Sequence, residues 1–302
     1  MFAPSVAAPS PLRVWLMAAR PKTLTAGLVP VAVGTGLAFG HGLGRVFPAL
    51  AALLGALLIQ IGTNLVNDYY DFKKGADTPE RLGPVRVTQS GLLSPRAVVR
   101  GAVVCGALAV GVGLYLVAEA GPAVVAIGVA SLLAGFAYTG GPYPLGYHGL
   151  GDVFVFLFFG LVAVAGTYFV QAESLTPAVW PAAIAVGAMG TELLVVNNLR
   201  DVATDRKAGK RTLVVRFGVA AGKGEYLGLL GIAYLFPVLL WISGQARVTV
   251  LLSLASLPFA VAPVRTVLRQ TGSKLNEALG ETARLQLVYG MLLAVGLWGG
   301  RR

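Results

Sequence analysis

The chain has 302 residues, of which 56% are apolar and only 12% are charged. A soluble globular domain carries about 25% charged residues, so half that fraction excludes an ordinary water-soluble domain and points to a surface that faces lipid. The net charge of +11 would suggest nucleic acid in a soluble protein, but in so apolar a chain it fits basic loops held on one side of a membrane, and no nucleic-acid partner is expected.

In chain order, residues 1–22 lack a basic start followed by an apolar core and a cleavage site, and read as a retained cytoplasmic segment. Nine apolar windows follow, at about Leu24 to Phe39, Phe47 to Val66, Ala97 to Val117, Ala123 to Tyr138, Val153 to Val170, Ala178 to Val196, Tyr226 to Ile242, Val248 to Leu268 and Leu285 to Trp298. They are continuously apolar and do not alternate, which argues against a barrel. The expected fold is an all-α polytopic membrane protein, a single domain over residues 1–302 with nine transmembrane helices bundled around a cavity that opens to the cytoplasmic side. Several windows are nearer 16 residues than the roughly 20 that a span needs. Cys105 is the single cysteine and lies in an apolar run, so disulfides are excluded.

With the amino terminus inside, 20 of the 24 basic residues fall on the cytoplasmic side, and only Arg45, Arg247, Arg301 and Arg302 fall outside. That asymmetry predicts a multi-pass protein of the inner or plasma membrane with its carboxyl terminus outside.

Six of the 13 acidic residues gather in two stretches, NDYYDFKKGADTPE (67–80) and NNLRDVATDRKAGK (197–210), each starting where an apolar run ends. Gln60, Asn64, Asn67, Asp68 and Asp71 fall on one stripe of a continued helix, and Thr191, Asn198, Asp201 and Asp205 form a similar stripe. The two sites match as Asn67-xxx-Asp71 and Asn197-xxx-Asp201. Carboxylates crowded into a dehydrated cavity repel unless cations neutralise them. Oxygen-only donors without His or Cys suit Mg2+, which is held by one or two carboxylates together with a ligand's phosphates. The candidate metal residues are Asn67, Asp68, Asp71, Asp77, Asn197, Asp201 and Asp205, and Asp68, Asp71, Asp201 and Asp205 are the candidate catalytic residues. Lys73, Lys74, Arg206, Lys207, Lys210 and Arg211 are candidates for diphosphate oxygens. The competing reading for these basic residues is topology signalling or lipid headgroup contact.

With these motifs on even-numbered helices of a nine-span bundle, the chain resembles the UbiA-type intramembrane prenyltransferases from Arg20 onward. ARPKTLTAGLVPVAVGTGLA, NLVNDYYDFKKGADTPERLGPVRVTQSGLLSP and NNLRDVATDRKAGKRTL are most similar to the 1,4-dihydroxy-2-naphthoate branch of menaquinone synthesis. Superfamily members commonly space the first motif NDxxDxxxD, whereas Gly75 stands at the last position here and Asp77 follows two residues later, which makes Asp77 the weakest metal candidate. The resemblance implies transfer of a polyprenyl group from polyprenyl diphosphate to 1,4-dihydroxy-2-naphthoate, with Mg2+ as cofactor, membrane lipid as surroundings and loss of diphosphate and carbon dioxide. Phytyl transfer and a 4-hydroxybenzoate acceptor are the alternatives within the family, and a cation or lipid transporter is the alternative outside it. Residues 72–96, rich in Gly, Pro and charge, are expected to form a cytoplasmic lid, and residues 200–224 a second motif loop. Arg20, Lys22 and Arg86 are candidates for the acceptor carboxylate. Tyr138 and Tyr143 are candidates for stabilising cationic charge, against the alternative of interfacial anchors. Glu192, inside the sixth window, is set roughly 180° from Asp201 by helical spacing and is left out of the site. His41 and His148, in Gly-rich loops, are expected in solvent.

Overall fold

The computed structural model describes residues 9–77 and 81–300. Residues 1–8, Thr78, Pro79, Glu80, Arg301 and Arg302 lie outside the described residues, so the expectations that touch them stop there. Among the described residues every regular element is helical. They are α1 (Pro11–Ala19), α2 (Thr25–Gly40), α3 (Val46–Lys73), α4 (Pro95–Ala120), α5 (Ala123–Ala137), α6 (Gly151–Ala172), α7 (Val179–Lys207), α8 (Leu213–Phe217), α9 (Val219–Ile242), α10 (Val248–Arg269) and α11 (Leu275–Trp298).

Each of the nine apolar windows falls on a helix, but six helices are long and apolar enough to cross a membrane: α3, α4, α6, α7, α9 and α10. The pair Pro11–Thr23 and Thr25–Gly40, bent by 54°, makes a seventh if it is one span. α5 is short, with 15 residues. α11 is diluted by polar residues that it turns inward, with Thr282 and Gln286 wholly buried.

α7 is the axis of the bundle, and most of its apolar window is buried against other helices, whereas α4 buries little of its own. The outward sides of α3, α4 and α5 expose Leu54, Val103, Leu114 and Leu133, the surface a lipid-facing helix needs, since hydrocarbon offers no partner to a polar group. Close approach inside the bundle depends on small residues. A Cβ on Gly160 would lie 2.6 Å from the Gly187 Cα, so α6 and α7 touch backbone to backbone there. α6 relaxes into a π-helical stretch over Phe156–Val162 around that contact, a local widening that such bulges commonly supply. α10 begins as a 3-10 helix over Val248–Ser256. On the other side of α2, a Cβ on Gly36 would fall on the Ala294 carbonyl of α11.

Successive helices from α3 to α7 run antiparallel, with Gly62 against Cys105 and Gly55 against Val112, and Gly151 against Leu194 and Gly160 against Gly187, which brings the ends carrying the acidic motifs to one end of the bundle. The opposite end is tied by Arg45, which caps α3 and pairs with Glu119 at the end of α4 and with Glu173 after α6, the latter at 3.1 Å. His41 at this end is exposed as expected, yet its Nδ1 lies 2.8 Å from the Tyr168 hydroxyl.

The Gly36 contact leaves no space for a side chain, whereas a Cβ on Gly106 of α4 meets nothing within 4 Å. Thermal unfolding in detergent should show Gly36→Val destabilised by about 1–3 kcal/mol or more, the usual cost of overpacking. Gly106→Ala should be neutral or slightly stabilised, because Ala is the better helix former by about 1 kcal/mol.

Candidate functional site

The polar stripe of α3 does two jobs. Its inner half fixes the elbow between α1 and α2: Gln60 Nε2 donates to Thr23 Oγ1 at 3.4 Å, and Asn64 Nδ2 donates to the Ala19 carbonyl at 2.9 Å and to Thr23 Oγ1 at 3.0 Å. At that elbow Arg20 adopts a left-handed conformation, φ 53°, uncommon for a residue with a side chain. Its guanidinium pairs with Asp68 at 3.7 Å and donates to the Asn64 carbonyl at 3.4 Å.

The outer half of the stripe holds the loop that follows it. Asp68 accepts from the Thr88 backbone N–H at 3.0 Å. Asp71, almost fully buried, is met from three sides: Arg86 Nη2 at 3.2 Å, Lys210 Nζ at 3.3 Å, and the Tyr147 hydroxyl, which donates at 2.7 Å. Asp77 pairs with Arg81 and, at 3.3 Å, with Arg86 Nε. Asn67 Oδ1 accepts from Thr139 Oγ1 at 2.6 Å.

On α7, Arg200 grips Asp201 with two bonds of 2.8 and 2.6 Å and donates to Asn276 of α11 at 2.9 Å, while Asn276 donates to the Leu82 carbonyl at 2.7 Å. The loop after α3 is thus fastened to α3, α7 and α11. Asn197 Nδ2 donates to the Leu193 carbonyl at 2.9 Å, one turn back.

These groups surround one end of a cavity of about 700 Å³ that continues between α2, α3, α4, α5, α6 and α7. Arg20, Lys22, Asn67, Asp71, Arg86, Tyr138, Asn197, Asp201, Asp205 and Lys210 line the polar end. Beyond them the wall is apolar and rich in small residues, with Gly55, Gly113, Gly128 and Gly166, and with Phe154, Phe158 and Phe159 on one side.

Not every expected residue reaches this cavity. Asp68 and Asp77 point into the loop contacts just described. Lys73, Lys74, Arg206, Lys207 and Arg211 are exposed and outside the lining, although the Lys74 ammonium reaches back to two lining residues, Thr139 and Tyr147; Lys73 stands about 200° around α3 from Asp71, and Lys207 about 200° around α7 from Asp205. Tyr143 is exposed and stacks on His148, ring centroids 3.6 Å apart, and that histidine is half-buried rather than free in solvent, with Nδ1 2.9 Å from the Pro144 carbonyl. On α7 the lining face runs through Gly190, Leu194, Asn197, Asp201 and Asp205. Thr191 lies off it and bonds the Gly187 carbonyl. Glu192 is wholly buried away from the cavity, as its spacing requires, and its carboxyl oxygens have no hydrogen-bond partner among the described residues.

Three residues were missed by sequence reasoning. Arg200 lies between Asn197 and Asp201, where it reads as one more topology charge. Arg81, a cavity residue that pairs with Asp77, reads the same way. Tyr147 lies in the Gly-rich loop between α5 and α6, and no spacing rule marks it. The ammoniums of Lys74 and Lys210 lie 4.6 and 4.7 Å from its ring centroid. Burial, with Asp71 beside it, raises the Tyr147 hydroxyl far above its usual value, so it donates and does not ionise. Desolvation lowers the Lys74 ammonium, with Asp71 opposing and Lys210 adding. Burial pushes Asp77 up to about 6, with Arg81 opposing and Asp71 adding to the rise.

The chain matches the UbiA prenyltransferase family over residues 27–288. The 1,4-dihydroxy-2-naphthoate octaprenyltransferase of Mycobacterium tuberculosis (strain ATCC 25618 / H37Rv) is 38% identical over 283 residues, 94% of this chain and 96% of that one. The enzyme of the same name from Escherichia coli (strain K12) is 36% identical over 293 residues, 95% of each. A solved UbiA homologue from Archaeoglobus fulgidus, bound to DMAPP and Mg2+, superposes with a TM-score of 0.65 over 93% of this chain and 99% of that one, at 18% identity, a likeness of fold.

Folded Asp77 holds its proton up to about pH 6, whereas an unfolded aspartate releases it near pH 4. Between those values the folded chain carries the extra proton, so the contribution of Asp77 to stability falls as pH rises. Unfolding in detergent from pH 4 to 7 should show wild type losing up to about 3 kcal/mol relative to Asp77→Asn across that window. A constant difference would mean that Asp77 is ionised throughout.

Proposed function

The chain belongs to the UbiA prenyltransferase family, and from that premise we propose that it transfers a polyprenyl group from polyprenyl diphosphate to 1,4-dihydroxy-2-naphthoate, releasing diphosphate and carbon dioxide. The observation that carries this reading is the meeting of the two acidic motifs, through Asp71, Asp201, Asp205 and Lys210, at the polar end of a cavity whose remaining wall is apolar. Such a cavity suits a ligand with an anionic head and a long hydrocarbon tail. The naphthoate acceptor follows from the relatives, 36–38% identical over nearly the whole chain. Membership of a prenyltransferase family removes the transporter reading.

The donor set fits Mg2+. Asn67, Asp71, Asn197, Asp201 and Asp205 offer oxygen alone to one cavity, and Mg2+ takes one or two carboxylates with phosphates and water completing its octahedron. Among the described residues no three His, Cys, Asp or Glu side chains gather closely enough to hold a metal by themselves. When bound, Mg2+ supplies charge that stabilises the departing diphosphate.

The protein's own groups do the rest. Lys74 and Lys210 receive diphosphate oxygens, with Arg81 and Arg86 facing them from the lid. The allylic carbon–oxygen bond breaks, its electron pair leaving on the diphosphate, and the electron-rich ring carbon bearing the carboxylate bonds to the allylic carbon. Loss of carbon dioxide then returns the pair of the carbon–carboxylate bond to the ring. Arg20 and Lys22, at the polar end of the cavity, would hold the acceptor carboxylate; Arg20 also pairs with Asp68, and Arg86 with Asp71 and Asp77. Tyr138 offers its ring to developing positive charge. The loop within residues 72–96 acts as a lid that excludes water from the cation. The polar end faces the cytoplasm, consistent with the clustering of basic residues there, and α5 and α11 complete nine passes.

Membranes containing the protein, given Mg2+, polyprenyl diphosphates of several lengths and 1,4-dihydroxy-2-naphthoate, should yield a decarboxylated prenyl naphthol. 4-Hydroxybenzoate should not compete. No product at any chain length would overturn the acceptor assignment. Asp71→Asn and Asp201→Asn should each lower turnover by about 10²–10³-fold, the loss typical of one electrostatic stabiliser, while the protein still inserts. Near-normal turnover in both would misplace the metal.

A further inference from the structure

We propose that Tyr147 is a positioning residue that presents one lysine from each motif, Lys74 and Lys210, as a preformed pair for the diphosphate, while its hydroxyl fixes Asp71. The inference rests on the diphosphate reading above and adds the part that assembles the site from two distant stretches of chain.

Two ammoniums brought to one place repel. Here both lie against the same ring, at 4.6 and 4.7 Å from its centroid, where the negative face of the aromatic system attracts them. Lys74 is further held by the Thr139 carbonyl, which accepts from its Nζ at 2.7 Å, and Lys210 by Asp71 at 3.3 Å. The Tyr147 hydroxyl reaches the same Asp71 at 2.7 Å. One side chain therefore touches the acid of the first motif and the base that follows each motif.

The backbone around Tyr147 is built for this placement. Its carbonyl accepts from the Arg211 N–H at 2.8 Å, and the His148 carbonyl accepts from Arg216 Nη2 at 2.7 Å. Gly149 has φ 74°, and a Cβ there would lie 2.6 Å from the Arg211 carbonyl. The loop between α5 and α6 is thus seated directly on the segment after α7, and Tyr147 projects from it to the end of α3. Asp71 and Lys210 also pair directly, and Tyr147 adds Lys74 to that contact.

The ring and the hydroxyl have separable effects. Tyr147→Phe keeps the ring and loses the bond to Asp71, so kcat should fall about tenfold, as for a hydrogen bond to a charged group, with the KM for polyprenyl diphosphate within about twofold of wild type. Tyr147→Leu loses both, and its KM for polyprenyl diphosphate should rise about tenfold, the loss expected of two cation–π contacts, while the KM for the naphthoate stays unchanged. Protection of the protein by Mg2+ and inorganic pyrophosphate against thermal unfolding should follow the same order, retained in Phe and weakened in Leu. A diphosphate KM in Tyr147→Leu within twofold of wild type would overturn the proposal, as would an equal rise in the KM for both substrates or equal pyrophosphate protection in the Phe and Leu variants. An inactive wild type that is still protected by Mg2+ and pyrophosphate, with the Phe and Leu variants differing, would overturn the acceptor reading and leave this one standing.

Discussion

Carboxylates at the dry end of a helix bundle must be neutralised by something, and the mouth of this protein is organised around that requirement. An unpaired buried ion costs several kcal/mol even after relaxation, and Asp68, Asp71 and Asp77 are each almost fully buried. Their partners come from different parts of the chain: Arg20 from the α1–α2 elbow, Arg81 and Arg86 from the loop after α3, and Lys210 from the segment after α7. The acids therefore gather three segments of the chain at one end of the bundle.

The cavity beneath depends on small side chains. Gly160 against Gly187, and Gly36 against Ala294, let helix backbones approach where larger residues would hold them apart, α6 on α7 and α2 on α11. Along the cavity itself glycines do the opposite, leaving space unfilled: Gly113 and Gly128 have nothing within 4 Å of a Cβ position. The same residue type therefore both tightens the bundle on one side and opens a channel on the other, and only the neighbouring helix decides which.

That ambiguity marks what the sequence can and cannot convey. The nine apolar windows correspond to helices because burial in lipid or protein demands continuous apolar runs, and the α3 stripe was legible because helical periodicity is local. The number of passes was less legible, since α5 is short and the polar residues of α11 face inward, so hydropathy and position diverge. Lys73, Arg206 and Lys207 carry the right chemistry at the wrong angle, one or two residues past the last acid on their helix. Arg200 and Tyr147 could not be found by period at all. Their roles arise from contacts across the fold, to Asn276 in one case and to Lys74, Lys210 and Asp71 in the other, and nothing in their own neighbourhoods distinguishes them from a topology charge or an interfacial tyrosine.

The first motif shows how a small change in spacing alters a residue's work. Gly75 sits in the left-handed region at φ 67°, with its N–H bonded to the Phe72 carbonyl and the Ala76 N–H bonded to that of Asp71, a helix ending that favours glycine because other side chains resist positive φ. α3 therefore stops at Lys73, and the chain reverses before it reaches Asp77. The next acid cannot continue the stripe into the cavity. It turns into the loop after α3, pairs with Arg81, and meets the Arg86 guanidinium whose other edge reaches Asp71. An aspartate in helical register with Asp71 would have added a fourth acid to the cavity wall and no tie to the loop. Displaced by two residues, it shares the Arg86 guanidinium with Asp71, and the loop that carries that arginine becomes part of the site.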